Sequence, residues 1–249
     1  MPRPLPKKTT RPPQDTLHLW GWHSVCAALQ NPKRAIHELM ATSRHLEALR
    51  PLANKRDLKI TETDTKSLDR RFDGAVHQGI VADVAPLPSR HLQEPFEASE
   101  ACTLLALDQV QDPHNIGALM RSARALGAGG MILHAQGLPT LDGVLAKAAA
   151  GALESLPIYV VANLSQALLS ARDANFWSFG LSETGKPMAV LPKVGRKILV
   201  LGAEGAGLRP LVAKRTDGLF ALPTEPDFPT LNVSVAGALA LALSKSMTA

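Results

Sequence analysis

The feature that most constrains this chain is an alternation that sets in at Cys102. Short apolar runs at Thr103 to Leu107, Met131 to His134, Ile158 to Val161, Trp177 to Leu181, Ile198 to Leu201 and Phe220 to Leu222 are interleaved with stretches of helical spacing. The helical stretches fall at about Asn115 to Leu126, Asp142 to Glu154, Leu164 to Ala174, Pro210 to Thr216 and Leu231 to Leu243. Continuous apolar runs of this length with helices between them predict an α/β fold, a parallel sheet covered by helices on both faces. In such sheets ligands bind beyond the carboxyl ends of the strands, so candidate chemistry is sought in those loops.

One loop stands out, in the stretch KILVLGAEGAGL from Lys197 to Leu208. The apolar run ends abruptly at Gly202, Ala203, Gly205 and Gly207. Glycines admit backbone conformations closed to other residues and let a ligand approach the main chain, so a turn rich in NH groups is expected. Glu204 is its only charge. A carboxylate there disfavours a bare phosphate, and the turn suits a neutral or cationic ligand better. The glycine spacing is neither the GxGxxG dinucleotide fingerprint nor a P-loop, which makes a nucleotide-binding oxidoreductase a poor reading. No Ser, Cys or His falls in a recognisable triad order.

Two other loops leave strand ends on the same edge. In DQVQDPHNIGALMRSAR, Asp108 to Arg124, Asp112-Pro113 makes a turn and Asn115 is expected to cap a helix whose buried stripe is Ile116, Leu119, Met120 and Ala123. Arg121 falls away from that stripe, and Asn115 and Arg121 are both expected to reach the cleft of the glycine turn. His114 is a turn histidine with at most a minor role. The third loop runs from Leu222-Pro223 to Ala236 and places Asn232 and Ser234 at the start of an otherwise apolar helix. Capping accounts for either polar residue singly, but not for three loops converging on one edge.

The amino-terminal part differs in character. Residues 1–14 hold four basic side chains, five prolines and no acid, and are expected to form a flexible basic tail. Residues 15–85 read as a small α/β unit, with strands near His18 to Trp20, Ile36 to Met40, Leu58 to Glu62 and Gln78 to Val84. Its helices are expected at His23 to Leu29, at Arg44 to Lys55 with Ser43 as N-cap, and at Thr65 to Phe72. Residues 86–100 read as a proline-rich linker to the unit at 101–249. Basic residues gather in the first unit at Lys33, Arg34, Arg44, Arg50, Lys55, Arg56, Lys66, Arg70 and Arg71. With a net charge of +5, they suit a polyanionic partner, although a solvated, salt-bridged surface looks much the same. Aromatic residues are only 4% of the chain, which speaks against a base-stacking sheet surface. No apolar run reaches the roughly 20 residues that span a bilayer. Cys26 and Cys102 stand alone without metal spacing, which fits a reducing, cytoplasmic location and no zinc site.

The stretches DPHNIGALMRSARALGA, LVLGAEGAGL and LPTEPDFPTLNVSVAGAL, in this order, resemble the three signature motifs of the SpoU (TrmH) RNA 2′-O-methyltransferases of the SPOUT superfamily. GWHSVCAAL and VHQGIVADV resemble the L30e-like substrate-binding domain of the branch that methylates a guanosine ribose in 23S rRNA. The resemblance implies an α/β-knot domain with a trefoil knot, S-adenosyl-L-methionine as cofactor, and a homodimer through the carboxy-terminal domain. It implies catalytic positions at Asn115, Arg121, Glu204, Asn232 and Ser234, and cofactor contacts at Gly202, Ala203, Gly205, Gly207, Leu222, Leu231 and Val233. The substrate implied is rRNA; tRNA is the alternative, and a non-catalytic RNA-binding assembly factor is the reading from another class. One departure is visible: the family usually has methionine and a glycine soon after Leu222-Pro223, whereas Thr224 to Thr230 here carries two prolines and two acids.

Overall fold

The computed structural model describes residues 16–246 except Ser99 and Pro226. The expected basic tail lies outside the described residues. Two sheets organise the chain. The first has the order β1-β4-β2-β3, from β1 (Leu17–Trp20), β2 (Ile36–Ala41), β3 (Ile60–Glu62) and β4 (Ile80–Val84). Three helices accompany it: α1 (Trp22–Gln30), α2 (Ser43–Asn54) and α3 (Thr65–Arg71). Ser43 is the first helical residue of α2 rather than its cap; that place falls to Thr42, which makes no side-chain cap bond. A short helix α4 (Gln93–Glu97) follows in the segment expected to be a linker, and Arg196 donates to the carbonyls of Pro95 and Phe96. That segment is therefore docked on the second unit.

The second sheet is wholly parallel, in the order β10-β8-β9-β5-β6-β7. Its strands are β5 (Cys102–Asp108), β6 (Gly130–His134), β7 (Ile158–Val161), β8 (Trp177–Pro187), β9 (Arg196–Gly202) and β10 (Gly218–Ala221). The helices between them are α5 (Pro113–Ala125), α6 (Gly143–Ala149), α7 (Leu164–Asp173), α8 (Pro210–Arg215) and α9 (Val233–Ser246). Period-2 alternation divides the central strands between two cores. Leu105, Leu107, Met131, Leu133, Leu199 and Leu201 face one, while Leu104, Ala106, Ile132, Ile198 and Val200 face the other. The first core continues into the amino-terminal unit through Leu19, Val25 and Ala28.

Two elements depart from the sequence expectation. The helix expected over Asp142 to Glu154 breaks at Ala150 and Gly151, with φ of 48° and 91°, before a 3-10 turn at Ala152–Glu154. The break admits α1: a Cβ at Gly151 would lie 2.9 Å from that of Ala27. Strand β8 runs beyond Leu181 to Pro187, and β10 pairs first with Phe179 and Gly180, then with Lys186 and Pro187. The polar residues between, Ser182 to Thr184, bow out beyond the strand end and give no apolar signal.

The units are joined by a buried ion pair. Arg34, 1% exposed, donates through Nη2 to Glu154 Oε1 at 2.6 Å and through Nε to both carboxylate oxygens at 3.1 Å. Arg56 donates to the carbonyls of Ala28, Asn31 and Arg34, and Arg71 pairs with Glu38 and Asp83. Three of the basic residues expected to face a polyanion are thus committed to the fold.

Candidate active site

Beyond the carboxyl ends of β8, β9 and β10 lies a cleft of about 1140 Å³. Its floor is the glycine turn. Ala203 N donates to Gly207 O at 3.2 Å and Gly207 N to Ala203 O at 2.8 Å, and Gly205 and Gly207 take φ of 75° and 66°. Gly202 is required by close approach, since a Cβ there would lie 2.1 Å from the carbonyl carbon of Gly207. The walls come from Leu181 to Thr184 at the bow of β8, from Leu219 to Leu222, and from Pro229 to Val233 leading into α9. Of the seven expected cofactor contacts, Gly202, Ala203, Gly205, Gly207, Leu222, Leu231 and Val233, every one lines this cleft. Ser182 and Thr184 also line it and went unseen, because the strand they prolong is polar.

One carboxylate ties the three loops together. Glu204 Oε1 accepts from Asn232 Nδ2 at 2.8 Å, from Val233 N at 3.2 Å and from Asn115 Nδ2 at 3.4 Å. Asn232 Nδ2 also donates to Asn115 Oδ1 at 3.0 Å. The other end of Asn232 caps α9: its Oδ1 accepts from Ser234 N at 2.9 Å and from the Ser234 hydroxyl. Capping and site-building are one arrangement here. A carboxylate at the start of α9 also sits where the helix dipole is positive. Among the described residues Glu204 Oε2 has no partner, so the acid keeps a free oxygen at the cleft.

Asn115 reaches this network because it is not the cap of α5. Asp112 holds that place, accepting from His114 N at 3.4 Å and Asn115 N at 3.0 Å, with Pro113 in the first helical turn. The Asn115 amide is thereby free to turn toward Glu204. His114 is exposed, and its ring makes no hydrogen bond among the described residues.

Arg121 does not join the others. Six residues along a helix turn the side chain by about 240° and carry it about 9 Å up the axis. It is exposed and lines a second cleft, between α5 and α1. The expectation that Asn115 and Arg121 reach one cleft fails within a single chain.

A further anchor escaped the sequence reading. Asp108 is 0% exposed at the end of β5, and it receives both the main chain and the side chain of Arg209, just past the glycine turn. Among the described residues no group of three His, Cys, Asp or Glu side chains could hold a metal ion, and no helix is long and apolar enough to cross a membrane.

Residues 103–242 match the model of the SpoU rRNA Methylase family, and residues 18–90 that of the RNA 2'-O ribose methyltransferase substrate binding domain. This chain belongs to the SpoU rRNA methylase family. It is 37% identical over 232 residues to the 23S rRNA (guanosine-2'-O-)-methyltransferase RlmB of Pseudomonas aeruginosa, covering 90% of this chain and 93% of that one. The RlmB of Escherichia coli K12 is 34% identical over 231 residues, covering 90% and 95%. Among solved structures, the AdoMet-bound rRNA methyltransferase of Sinorhizobium meliloti superposes with a TM-score of 0.79 at 22% identity, over 93% of this chain and 87% of that one. The A. aeolicus TrmH/SpoU tRNA modifying enzyme superposes with a TM-score of 0.54 at 23% identity, over 63% of this chain and 80% of that one. The family and the α/β architecture expected from the three motifs are both borne out.

Proposed function

We propose that this protein transfers a methyl group from S-adenosylmethionine to the ribose 2′-hydroxyl of a guanosine in 23S rRNA. The observation that carries the reading is the Glu204 carboxylate bonded to Asn115 and Asn232 across three strand-end loops. The cleft has the features a sulfonium nucleoside needs: a glycine turn with exposed main chain, apolar contacts from Leu222 and Leu231, and one carboxylate. When bound, the cofactor supplies an electrophilic methyl group that a ribose 2′-oxygen can attack in line.

Gly202, Ala203, Gly205 and Gly207 would hold the cofactor through the backbone, and Leu222, Leu231 and Val233 would supply the neighbouring contacts. Asn115 and Asn232 fix the Glu204 carboxylate by its Oε1. Its Oε2 remains to offset the sulfonium charge and to take up the 2′-hydroxyl proton. Ser234 holds Asn232 in its capping geometry. Arg121 stabilises the developing alkoxide as a guanidinium, which is not deprotonated in proteins. Because Arg121 faces away from its own glycine turn, a homodimer is part of the proposal: Arg121 of one copy serves the cleft of the other. The trefoil knot that the family resemblance implies belongs to the same reading.

The presence of the amino-terminal unit favours rRNA over tRNA. The tRNA modifying enzyme superposes on 63% of this chain, the rRNA methyltransferase on 93%. Such a substrate places the protein in the cytoplasm. The test is transfer of labelled methyl from S-adenosylmethionine to 23S rRNA fragments and to tRNA, with the product mapped by alkali resistance of the adjacent linkage. One resistant guanosine in 23S rRNA is expected. Labelling confined to tRNA would overturn the substrate, and RNA binding with no cofactor binding would overturn the reaction in favour of an assembly factor.

A further inference from the structure

The second cleft, about 780 Å³, lies on the seam between the two units. One wall is α1 with the residues after it, including His23 and Gln30; the other is the end of α5, with Arg121 and Arg124, and the turn at Ser155. Three-residue spacing sets Arg121 and Arg124 on one flank of the helix. Both are exposed. Arg124 spends only Nε, on the Ser155 hydroxyl at 3.1 Å, and Arg121 has no partner among the described residues. The single acid on the lining, Glu154, is already held by Arg34 and by Asn31 Nδ2 at 2.8 Å. The groove therefore carries two guanidinium groups without a competing carboxylate.

We propose that this seam is a groove for the phosphodiester backbone of the RNA substrate, with Arg124 as its anchor. The proposal rests on the methyl-transfer reading above and extends it to a second site. Guanidinium groups match phosphate oxygens in pairs, and phosphate contacts fix the register of a bound nucleic acid without reading its sequence. The position supports this occupant. The substrate-binding match at residues 18–90 supplies one wall and the methylase match at 103–242 the other, so a strand held here spans both units. Arg121 on the same lip then faces the nucleotide next to the anchored phosphate.

The test measures affinity of the full chain for a 23S rRNA fragment across a salt titration, together with cofactor affinity. Arg124→Ala is expected to weaken RNA binding about tenfold and to reduce the salt slope by about one, with cofactor affinity unchanged. Gln30 gives a test independent of packing, because it is exposed on the opposite wall. Gln30→Glu is expected to weaken binding at low salt and Gln30→Lys to tighten it. An unchanged slope in Arg124→Ala, or both Gln30 variants shifting affinity in the same direction, would overturn the groove. If the variants behave as expected while the unaltered protein binds RNA but methylates none, the groove stands and the reaction falls. If the unaltered protein methylates RNA and the variants bind it equally well, the groove alone falls.

Discussion

Asp108 and Arg209 form a clamp on the glycine turn: the buried carboxylate takes the Arg209 main-chain NH on Oδ2 at 2.8 Å and its Nε on Oδ1 at 2.7 Å. The clamp ties the far end of the turn to β5, the strand beside the one from which the turn departs. Removing the guanidinium leaves a buried carboxylate with one fewer charged donor, worth roughly 2 kcal/mol. Arg209→Ala is therefore expected to lower the melting temperature modestly and to weaken cofactor binding more than it slows transfer at saturating cofactor. Calorimetric titration with S-adenosylmethionine beside a KM and kcat determination checks this. An unchanged cofactor affinity would remove the clamp from the site.

Gly202→Ala is a sharper intervention in the same turn. The added methyl would sit 2.1 Å from the Gly207 carbonyl carbon, and main chain cannot yield as a flexible side chain does. Loss of cofactor binding with the folded far-ultraviolet circular dichroism spectrum retained is the expected result. Wild-type affinity would mean that the turn relaxes at no cost.

The orientation of Arg121 makes a prediction about mixed dimers. Arg121→Ala and Asn232→Ala chains are each expected to be inactive alone. Co-refolded in equal amounts, they should recover about a quarter of the wild-type activity, because half the dimers are mixed and each of those regains one complete site. Should the mixture stay inactive while mixed dimers are shown to form, Arg121 acts within its own chain or not at all.

The Arg34–Glu154 pair is expected to behave as buried pairs do when one partner is lost. Glu154→Gln strands a guanidinium that is 1% exposed and should cost about 3–5 kcal/mol, whereas a double change to Met and Leu should cost much less. Chemical denaturation of the two variants beside the unaltered protein tests the ordering. A single change as mild as the double one would show that solvent reaches the pair.

Cys26 lies on the seam, and burial pushes its thiol up to about 11. Alkylation of Cys26 is expected to be slow at pH 8 and to accelerate as pH rises toward that value. The linkage has a definite sign. The thiol is raised above its ordinary 9.0 in the folded state, so its contribution to stability is full below pH 9.0 and is lost as pH rises through about 11. Cys26→Ala should flatten that part of the stability profile. Rapid labelling of the native protein at pH 8 would contradict the burial.

What was legible in the sequence follows from what burial imposes on it. Strands covered on both faces, such as Leu104 to Leu107 and Ile198 to Leu201, must be apolar throughout, so the sheet could be read. Gly202 and Asn232 were legible because a close main-chain approach and a helix start each demand particular residue types. The bow of β8 was not, because Ser182 to Thr184 face a cleft and carry no apolar signal. Nor was the break at Ala150-Gly151, which exists to seat α1, an element more than a hundred residues away in sequence. Asn115 and Asp112 both have the residue type of a cap for α5, and only geometry decides for Asp112. The facing of Arg121 was open to simple helical arithmetic, but convergence on one sheet edge argued the other way.

The core that runs unbroken from the parallel sheet through α6 and α1 into the first unit has a consequence for selectivity. A domain hung on a tether samples many spacings and accepts any target within reach. Here the position of the first unit relative to the helix that carries Arg121 is set by close packing, as the span of a caliper is set by its frame. On the proposed reading, an RNA that seats in the seam but carries its ribose at another distance is refused by geometry before any base is read.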